Sequence, residues 1–118
     1  MYFCGIDIAK KKHDAVIVDG EGNTQGKPLT ILNTATGFEE LISRLQTLDQ
    51  NVLIGLEATG HYWLALYERL SDVGFKIVVL NPLQIAAYRR SGIRKVKNDR
   101  KDAWWFADYL RVANLQPT

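Results

Sequence analysis

The chain has 118 residues, of which 47% are hydrophobic, and its formal net charge at pH 7 is +2. This composition excludes a disordered chain and fits one domain with a modest core. No stretch is long and apolar enough to cross a membrane, and no secretion signal opens the sequence, so we expect a soluble, cytoplasmic protein. The single cysteine, Cys4, lies in an apolar run, which predicts a small buried hydrophobic residue and no disulfide.

The small net charge conceals an uneven distribution of charged residues. Residues 1–82 contain 7 Lys and Arg against 10 Asp and Glu, whereas residues 83–118 contain 8 against 3. A basic region of this kind suits an anionic polymer, because phosphate contacts release counterions. The alternative is a charged face that only meets solvent. Within this region, residues 89–97 are predicted to form a basic loop.

The first third of the chain predicts three sequential strands joined by short turns. Residues 2–8 and 15–18 are strand-like, residues 10–13 form a polar turn, and a third strand ends near Leu32. Strands linked so closely favour an antiparallel meander. From Gly37 onward the apolar residues change to helical spacing, which predicts an amphipathic helix.

The remainder of the chain alternates strands with helices. Residues 52–56 form a continuous apolar run, typical of a strand buried on both faces, and residues 75–80 form another. The order of elements predicts an α/β domain. Three helices accompany these strands: one closed by Gly74, a short one opened by Asn81 and Pro82 and ending near Tyr88, and a last one capped by Asn98 or Asp99.

This order is that of the ribonuclease H-like fold. It implies a mixed five-stranded sheet, in which an antiparallel meander is followed by parallel strands, with helices on both faces. The first and fourth strands are then parallel neighbours, so Asp7 and Glu57, near corresponding strand ends, can approach each other. We expect residues 1–118 to form one such domain.

Four acidic residues are the best indication of function. Asp7 and Glu57 follow apolar strand residues, and Asp99 and Asp102 lie three residues apart on the predicted last helix. Divalent cations such as Mg²⁺ prefer anionic oxygen ligands, and bound ions stabilise the attacking and leaving oxygens of a phosphodiester. The four carboxylates are therefore candidate catalytic and metal-binding residues for phosphoryl transfer on nucleic acid, with Mg²⁺ or Mn²⁺ as cofactor.

Each carboxylate also has an ordinary structural explanation. Asp7 can be a polar strand end and Glu57 a helix cap, while Asp99 and Asp102 can be acidic residues at the positive end of a helix. Carboxylates beside apolar strand residues are costly unless they are paired or bound to metal, which favours a joint functional role.

Four segments of the chain resemble one family. They are residues 5–10 (GIDIAK), with His13 and Asp14 close behind, residues 57–63 (EATGHYW), Asn81 with Pro82, and residues 97–103 (KNDRKDA). In this order they resemble the DEDD-type transposases of bacterial insertion sequences and the related pilin-gene DNA invertases. The N-terminal domain of those proteins is similar to the RuvC Holliday-junction resolvase.

The resemblance implies a RuvC-like catalytic domain that acts in DNA strand cleavage and transfer, with Asp7, Glu57, Asp99 and Asp102 holding divalent metal. It also implies a structured guide RNA as a partner beside DNA, homo-oligomers, and a nucleoid-associated protein of the bacterial cytoplasm. Family members continue into a second domain bearing a serine implicated as nucleophile. That domain is absent from residues 1–118, so we expect this chain alone not to perform strand exchange.

Contacts with nucleic acid are expected mainly from basic residues that bind phosphates. His61 follows Glu57 on a strand-to-helix turn and could contact a phosphate, although capping of that helix by Thr59 explains the turn equally well. His13 is either a substrate contact or a solvated turn residue. The candidates are Lys10, Lys11, His61, Arg89, Arg90, Arg94, Lys95, Lys97, Arg100 and Lys101.

Three other functions compete with this one. A stand-alone RuvC-like junction nuclease would use the same carboxylates to activate water. A sugar-kinase or actin-like nucleotide-binding half is disfavoured, because residues 7–10 lack a glycine-rich phosphate turn. The non-enzymatic alternative is a nucleic-acid-binding module that is catalytically silent.

Overall fold

The computed structural model describes residues 1–91 and 102–113. Five strands of these residues form one mixed sheet in the spatial order third, second, first, fourth, fifth, with the antiparallel meander and parallel strands that the sequence predicts. Within the described residues, no helix is long and apolar enough to cross a membrane. The strands are β1 (Tyr2–Asp7), β2 (Lys12–Val18), β3 (Leu29–Leu32), β4 (Val52–Glu57) and β5 (Lys76–Leu80).

The sheet register aligns the two strands that carry the acidic residues. β1 pairs antiparallel with β2 and parallel with β4, and β4 pairs parallel with β5. Ile6 is the partner of Leu56, so the next residues, Asp7 and Glu57, end their strands side by side. The predicted meander and the predicted neighbours are confirmed.

In the described part of the chain, four helices accompany the sheet: α1 (Ala35–Gln46), α2 (Leu64–Val73), α3 (Pro82–Arg90) and α4 (Asp102–Ala113). Two of them begin at capped positions. The Thr34 side chain accepts a hydrogen bond from the Gly37 amide at the start of α1, and Asn81 accepts one from Leu83 at the start of α3. Both faces of the sheet are covered, because α1 and α2 pack on one side and α3 and α4 on the other.

Cys4 belongs to the layer between the sheet and α1 and α2, as a buried free thiol. Burial raises the pKa of this thiol to about 12, so it remains protonated and unreactive at neutral pH. The prediction of a small buried hydrophobe is confirmed.

Several predicted boundaries of strands and helices are wrong. β2 begins at Lys12, so part of the predicted polar turn belongs to the strand. α2 begins only at Leu64 with Trp63 as its N-cap, so Thr59 does not cap it. α3 continues to Arg90, and Arg89 and Arg90 therefore lie in a helix rather than in a loop.

Gly5 sets how closely α4 approaches β1. A Cβ atom at this position would lie 2.1 Å from the Ala103 carbonyl oxygen and 2.5 Å from the Ala107 amide nitrogen. Only a residue without a side chain permits this backbone contact. Gly5 therefore brings the beginning of α4, where Asp102 lies, next to the end of β1.

Candidate active site

Three of the four predicted carboxylates line one cleft. Asp7 ends β1, Glu57 ends β4, and Asp102 is the first residue of α4. All three side chains are partly buried. The cleft has a volume of about 430 Å³, and its other walls come from the faces of α3 and α4: Pro82, Ile85, Ala86, Arg89, Arg90 and Phe106. Asp99 lies outside the described residues.

The alternation of side chains along the strands places these acids on the α4 side of the sheet. Gly5 faces α4, so Asp7, two residues further along β1, points to the same side. In β4, Gly55 faces Leu110 of α4, and Glu57 follows it with the same parity. The sheet and α4 thus direct both carboxylates into the cleft.

Burial and neighbouring carboxylates disfavour the ionisation of Asp7 and Glu57. Burial, followed by the charges of Asp102 and Asp14, raises the pKa of Asp7 above its usual value. Burial, followed by the charges of Asp102 and Asp7, raises the pKa of Glu57, and Arg89 opposes this shift. The negative charges in the cleft therefore repel one another, and a bound cation would offset this repulsion.

Arg89 already supplies some positive charge to this cleft. Its Nη1 atom lies 2.5 Å from Oδ1 of Asp102, and the side chains of Arg89 and Asp102 are 38% and 47% exposed. The Arg89 guanidinium also lies 5.5 Å from the centroid of the Trp105 ring. Arg89, predicted as a phosphate contact of a basic loop, is thus an ion-pair partner of a candidate metal ligand.

The donor set of the cleft fits a hard divalent cation by its chemistry. Carboxylate oxygens are the preferred ligands of Mg²⁺ and Mn²⁺, and the mutual repulsion of Asp7, Glu57 and Asp102 is the cost that such an ion would remove. In residues 1–91 and 102–113, however, no three acidic, His or Cys side chains are gathered closely enough to hold a metal ion.

The predicted nucleic-acid contacts divide into two groups. Lys10 and Lys11 are exposed in the short connection that follows Asp7, and His61 is exposed in the loop that follows Glu57. Arg90 is exposed and lines the cleft beside Arg89. The other candidates, Arg94, Lys95, Lys97, Arg100 and Lys101, lie outside the described residues.

Asp14, which belongs to one of the family segments but had no predicted role, is a neighbour of the site. It is the direct cross-strand partner of Asp7, and its charge contributes to the raised pKa of Asp7. The Thr30 hydroxyl donates a hydrogen bond to Oδ1 of Asp14 over 2.6 Å. The register of β1 and β2 places Asp14 opposite Asp7. This pairing was not predicted, because β2 was expected to begin only at residue 15.

His13 is neither a substrate contact nor a solvated turn residue, so both predictions for it are wrong. The side chain is fully buried, and its Nδ1 atom accepts a hydrogen bond from the Ala9 amide over 3.1 Å. As a residue of β2 with the parity of Ala15 and Ile17, it faces α1 and α2, away from the cleft. Its role is to fix the turn that follows Asp7.

Two aromatic residues and an acid of α4 also differ from expectation. Because Trp104 and Trp105 are adjacent on a helix, the sequence predicts one ring in the core and the other facing a partner subunit, the second domain or a nucleic-acid base. Both rings are buried, which contradicts the exposed placement. Asp108, which sequence reasoning overlooked, is completely buried, where it accepts a hydrogen bond from the Tyr88 hydroxyl and pairs with Arg111 over 2.9 Å. The hydrogen bond from Tyr88 joins α3 to α4, the two helical walls of the cleft, whereas the pair with Arg111 lies within α4.

Comparison with known proteins gives a family and a relative. The model of the IS110-type DEDD family, described as a transposase, matches residues 4–118. The pilin gene-inverting protein of Moraxella bovis is 36% identical over 111 residues, which cover 91% of this chain and 33% of that protein. The chain thus spans about a third of the length of this relative.

Solved structures with the same fold include RuvC of Thermus thermophilus. One such structure has a TM-score of 0.63 at 14% identity and covers 100% of both chains. Another, described as T. thermophilus RuvC in complex with Holliday junction substrate, has a TM-score of 0.60 at 13% identity and covers 100% of this chain and 99% of that chain. The predicted RuvC-like, ribonuclease H-like fold is confirmed.

Proposed function

Because this chain belongs to the DEDD transposase family, we propose that its acidic cleft is the metal-dependent active site of a transposase or site-specific DNA recombinase. One observation carries the proposal. Asp7, Glu57 and Asp102, which come from three elements far apart in the sequence, line a single open cleft. Asp99 is the proposed fourth ligand.

Mg²⁺ or Mn²⁺, when bound, would supply Lewis-acid stabilisation to the oxygens of a phosphodiester. The residues of the chain supply the surroundings for this chemistry. Asp7 and Glu57 are fixed on the sheet by the register of β1 and β4, and Asp102 is fixed by the packing of α4 on Gly5. Rigid elements of this kind keep catalytic groups within the narrow tolerance that phosphoryl transfer requires.

DNA is the proposed substrate. Lys10 and Lys11 are exposed in the connection that follows β1, and Arg90 lines the cleft, so these three cations are the proposed contacts to a phosphate backbone. A structured guide RNA and a homo-oligomeric assembly remain proposals that rest on the family. The pilin gene-inverting relative is consistent with DNA rearrangement as the activity of the whole protein.

The test of this proposal is metal-dependent cleavage by the purified chain. Supercoiled DNA carrying the ends of the element is incubated with Mg²⁺ or Mn²⁺, and with EDTA as the metal-free reference. We expect nicking that Asp7→Asn or Glu57→Gln lowers by at least about 100-fold, since these residues would ligate the metal directly. Asp72→Asn, an exposed acid on α2, is the matched control. Nicking that survives both EDTA and Glu57→Gln would contradict the proposal.

A stand-alone junction nuclease is the second candidate. It is favoured by the match of the fold to nearly the whole chain of a RuvC that is described in complex with a Holliday junction substrate. A four-way junction and a linear duplex of the same sequence separate the two candidates. Selective cleavage of the junction in the absence of any RNA would favour the resolvase, whereas cleavage restricted to element ends would favour the transposase.

A further inference from the structure

We infer that Arg89 is an internal counter-ion of the acidic cleft, which competes with a divalent cation for Asp102 and is released to a DNA phosphate when the cation binds. The inference rests on the proposed function and adds a regulatory role to the same cleft. Its basis is the ion pair between Arg89 and Asp102, at 2.5 Å, in a cleft lined by two further carboxylates.

The electrostatic position of Arg89 makes it a competitor of a metal ion. In the described part of the chain, no other Lys or Arg forms an ion pair with Asp7, Glu57 or Asp102. Its charge also acts on Glu57, whose ionised form it favours against the neighbouring carboxylates. A divalent cation among the same oxygens would repel a guanidinium 2.5 Å from one of them, so both cannot occupy their best positions at once.

The exposure of the pair makes the exchange reversible. Both side chains are more than one third exposed, and ion pairs of this kind contribute little because water and salt screen them. Arg89 therefore holds Asp102 in the metal-free protein without blocking entry of a cation. A deeply buried pair would not allow such exchange, because separating it would leave an uncompensated charge in the core.

The surroundings of Arg89 provide a place for it after release. Arg89 lies in the last turn of α3, where the negative end of the helix favours a cation, and its guanidinium faces the buried Trp105 ring. Arg90 follows it on the rim of the cleft. A guanidinium that leaves Asp102 thus remains at the cleft, where a DNA phosphate can accept two parallel hydrogen bonds from it.

The test compares Mn²⁺ binding by the wild-type chain and by Arg89→Gln, followed by electron paramagnetic resonance of free Mn²⁺. We expect Arg89→Gln to bind Mn²⁺ about three- to fivefold more tightly, since the competing charge is removed. Arg89→Lys keeps the charge and should stay within about twofold of the wild type. Arg69→Gln is the matched control, because Arg69 forms a similarly exposed pair with Glu39, at 2.7 Å, outside the cleft.

A second measurement separates this role from a merely structural one. In Ca²⁺, the affinity of Arg89→Gln for duplex DNA should fall at least about threefold, because the variant cannot bind a phosphate at this position although its metal binding improves. A structural role would weaken both affinities. Equal or weaker Mn²⁺ binding by Arg89→Gln, or an equal gain in Arg69→Gln, would overturn the inference.

The Mn²⁺ binding measurements distinguish a failure of the proposed function from a failure of the role inferred for Arg89. If neither the wild type nor any variant binds Mn²⁺ saturably, the metal site itself is refuted, and the inference falls with it. If all variants bind Mn²⁺ with the same affinity, the metal site stands and only the role of Arg89 is refuted.

Discussion

Asp7 occupies a position that is unfavourable for its own charge in the absence of metal. Its pKa in the folded protein is raised, so the folded state binds the proton more tightly than the unfolded state does. Stability contributed by the protonated form is therefore complete below the unfolded pKa and is lost as the pH rises through the folded pKa. The ionised carboxylate of Asp7 therefore lowers the stability of the metal-free fold.

Asp7→Asn should consequently stabilise the metal-free protein at neutral pH. We expect Tm in EDTA at pH 7 to rise by about 2–4 °C, and the gain to disappear below about pH 4, where the wild-type carboxyl is protonated as well. Calorimetry across this pH range measures the effect. Asp72→Asn serves as the exposed control. An unchanged or lower Tm for Asp7→Asn at pH 7 would show that the cleft carries no such strain.

The stability that His13 contributes to the fold should depend on pH in the opposite sense. Burial lowers the pKa of its imidazole, and its Nδ1 atom must be unprotonated to accept the Ala9 amide hydrogen. The stability contributed by the neutral ring is complete above the unfolded pKa of about 6.5 and is lost as the pH falls toward the lowered folded pKa.

His13→Asn keeps an acceptor near the Ala9 amide but removes the titrating ring. We expect it to cost about 1–2 kcal/mol at pH 8 through poorer packing, and to abolish the loss of stability as the pH falls below about 6.5. Urea unfolding at several pH values tests this, with the exposed His61→Asn as control. Parallel pH profiles for His13→Asn and the wild type would contradict the assignment.

At the scale of secondary structure elements, the packing of α4 on β1 decides whether the site exists. The Gly5→Ala methyl group would meet backbone atoms of α4 at 2.1 and 2.5 Å, and backbone cannot rotate away as a side chain can. We expect a cost of about 3 kcal/mol or more, together with displacement of Asp102 from Asp7.

The matched change is Gly20→Ala, where the nearest atom to the added Cβ is the Met1 carbonyl oxygen at 4.0 Å. That variant should stay within about 0.5 kcal/mol of the wild type. Urea midpoints measure the stability of both variants. A Gly5→Ala protein that is as stable as Gly20→Ala would mean that α4 can shift without cost, and the close approach would then have no role in placing Asp102.

At the scale of the whole molecule, the acidic cleft and the exposed basic residues near it attract partners of opposite charge. Carboxylates attract cations, whereas the exposed side chains of Lys10, Lys11 and Arg90 carry the charge that attracts a phosphate backbone. DNA binding is therefore expected to depend on metal, because an ion in the cleft removes the repulsion between the carboxylates and the phosphates.

Replacing Lys10 and Lys11 together with Ala should weaken DNA binding in a sequence-independent way. The dependence of log affinity on log salt concentration should become shallower by about 0.9 for each phosphate that the variant no longer neutralises. Fluorescence anisotropy at several salt concentrations measures it. The control is the double change of Lys27 and Lys76 to Ala; both are exposed, and Lys76 begins β5 at the end of the sheet remote from the cleft. Equal slopes for the two double variants would contradict the assigned DNA surface.

The sequence by itself determined the order of elements and the three carboxylates that the structure gathers. Each of these features is local: apolar runs mark β4 and β5, helical spacing marks α1, and Asp7 and Glu57 directly follow strand residues whose neighbours in the sheet are fixed by topology. Once the element order indicates the ribonuclease H-like fold, the ends of β1 and β4 must meet.

Only the tertiary structure decided which charges and polar groups oppose one another. The ion pair of Arg89 with Asp102 joins residues thirteen positions apart and depends on the packing of α3 against α4. No periodic pattern in the sequence indicates how these two helices pack. The burial of His13 depends on a strand beginning three residues earlier than its apolar pattern suggests, because pairing with β3 outweighs the polar character of Lys12 and His13. The energies of such ion pairs and hydrogen bonds depend on the distance between the groups and on their burial from solvent. Neither quantity can be read from the residues that are adjacent along the chain.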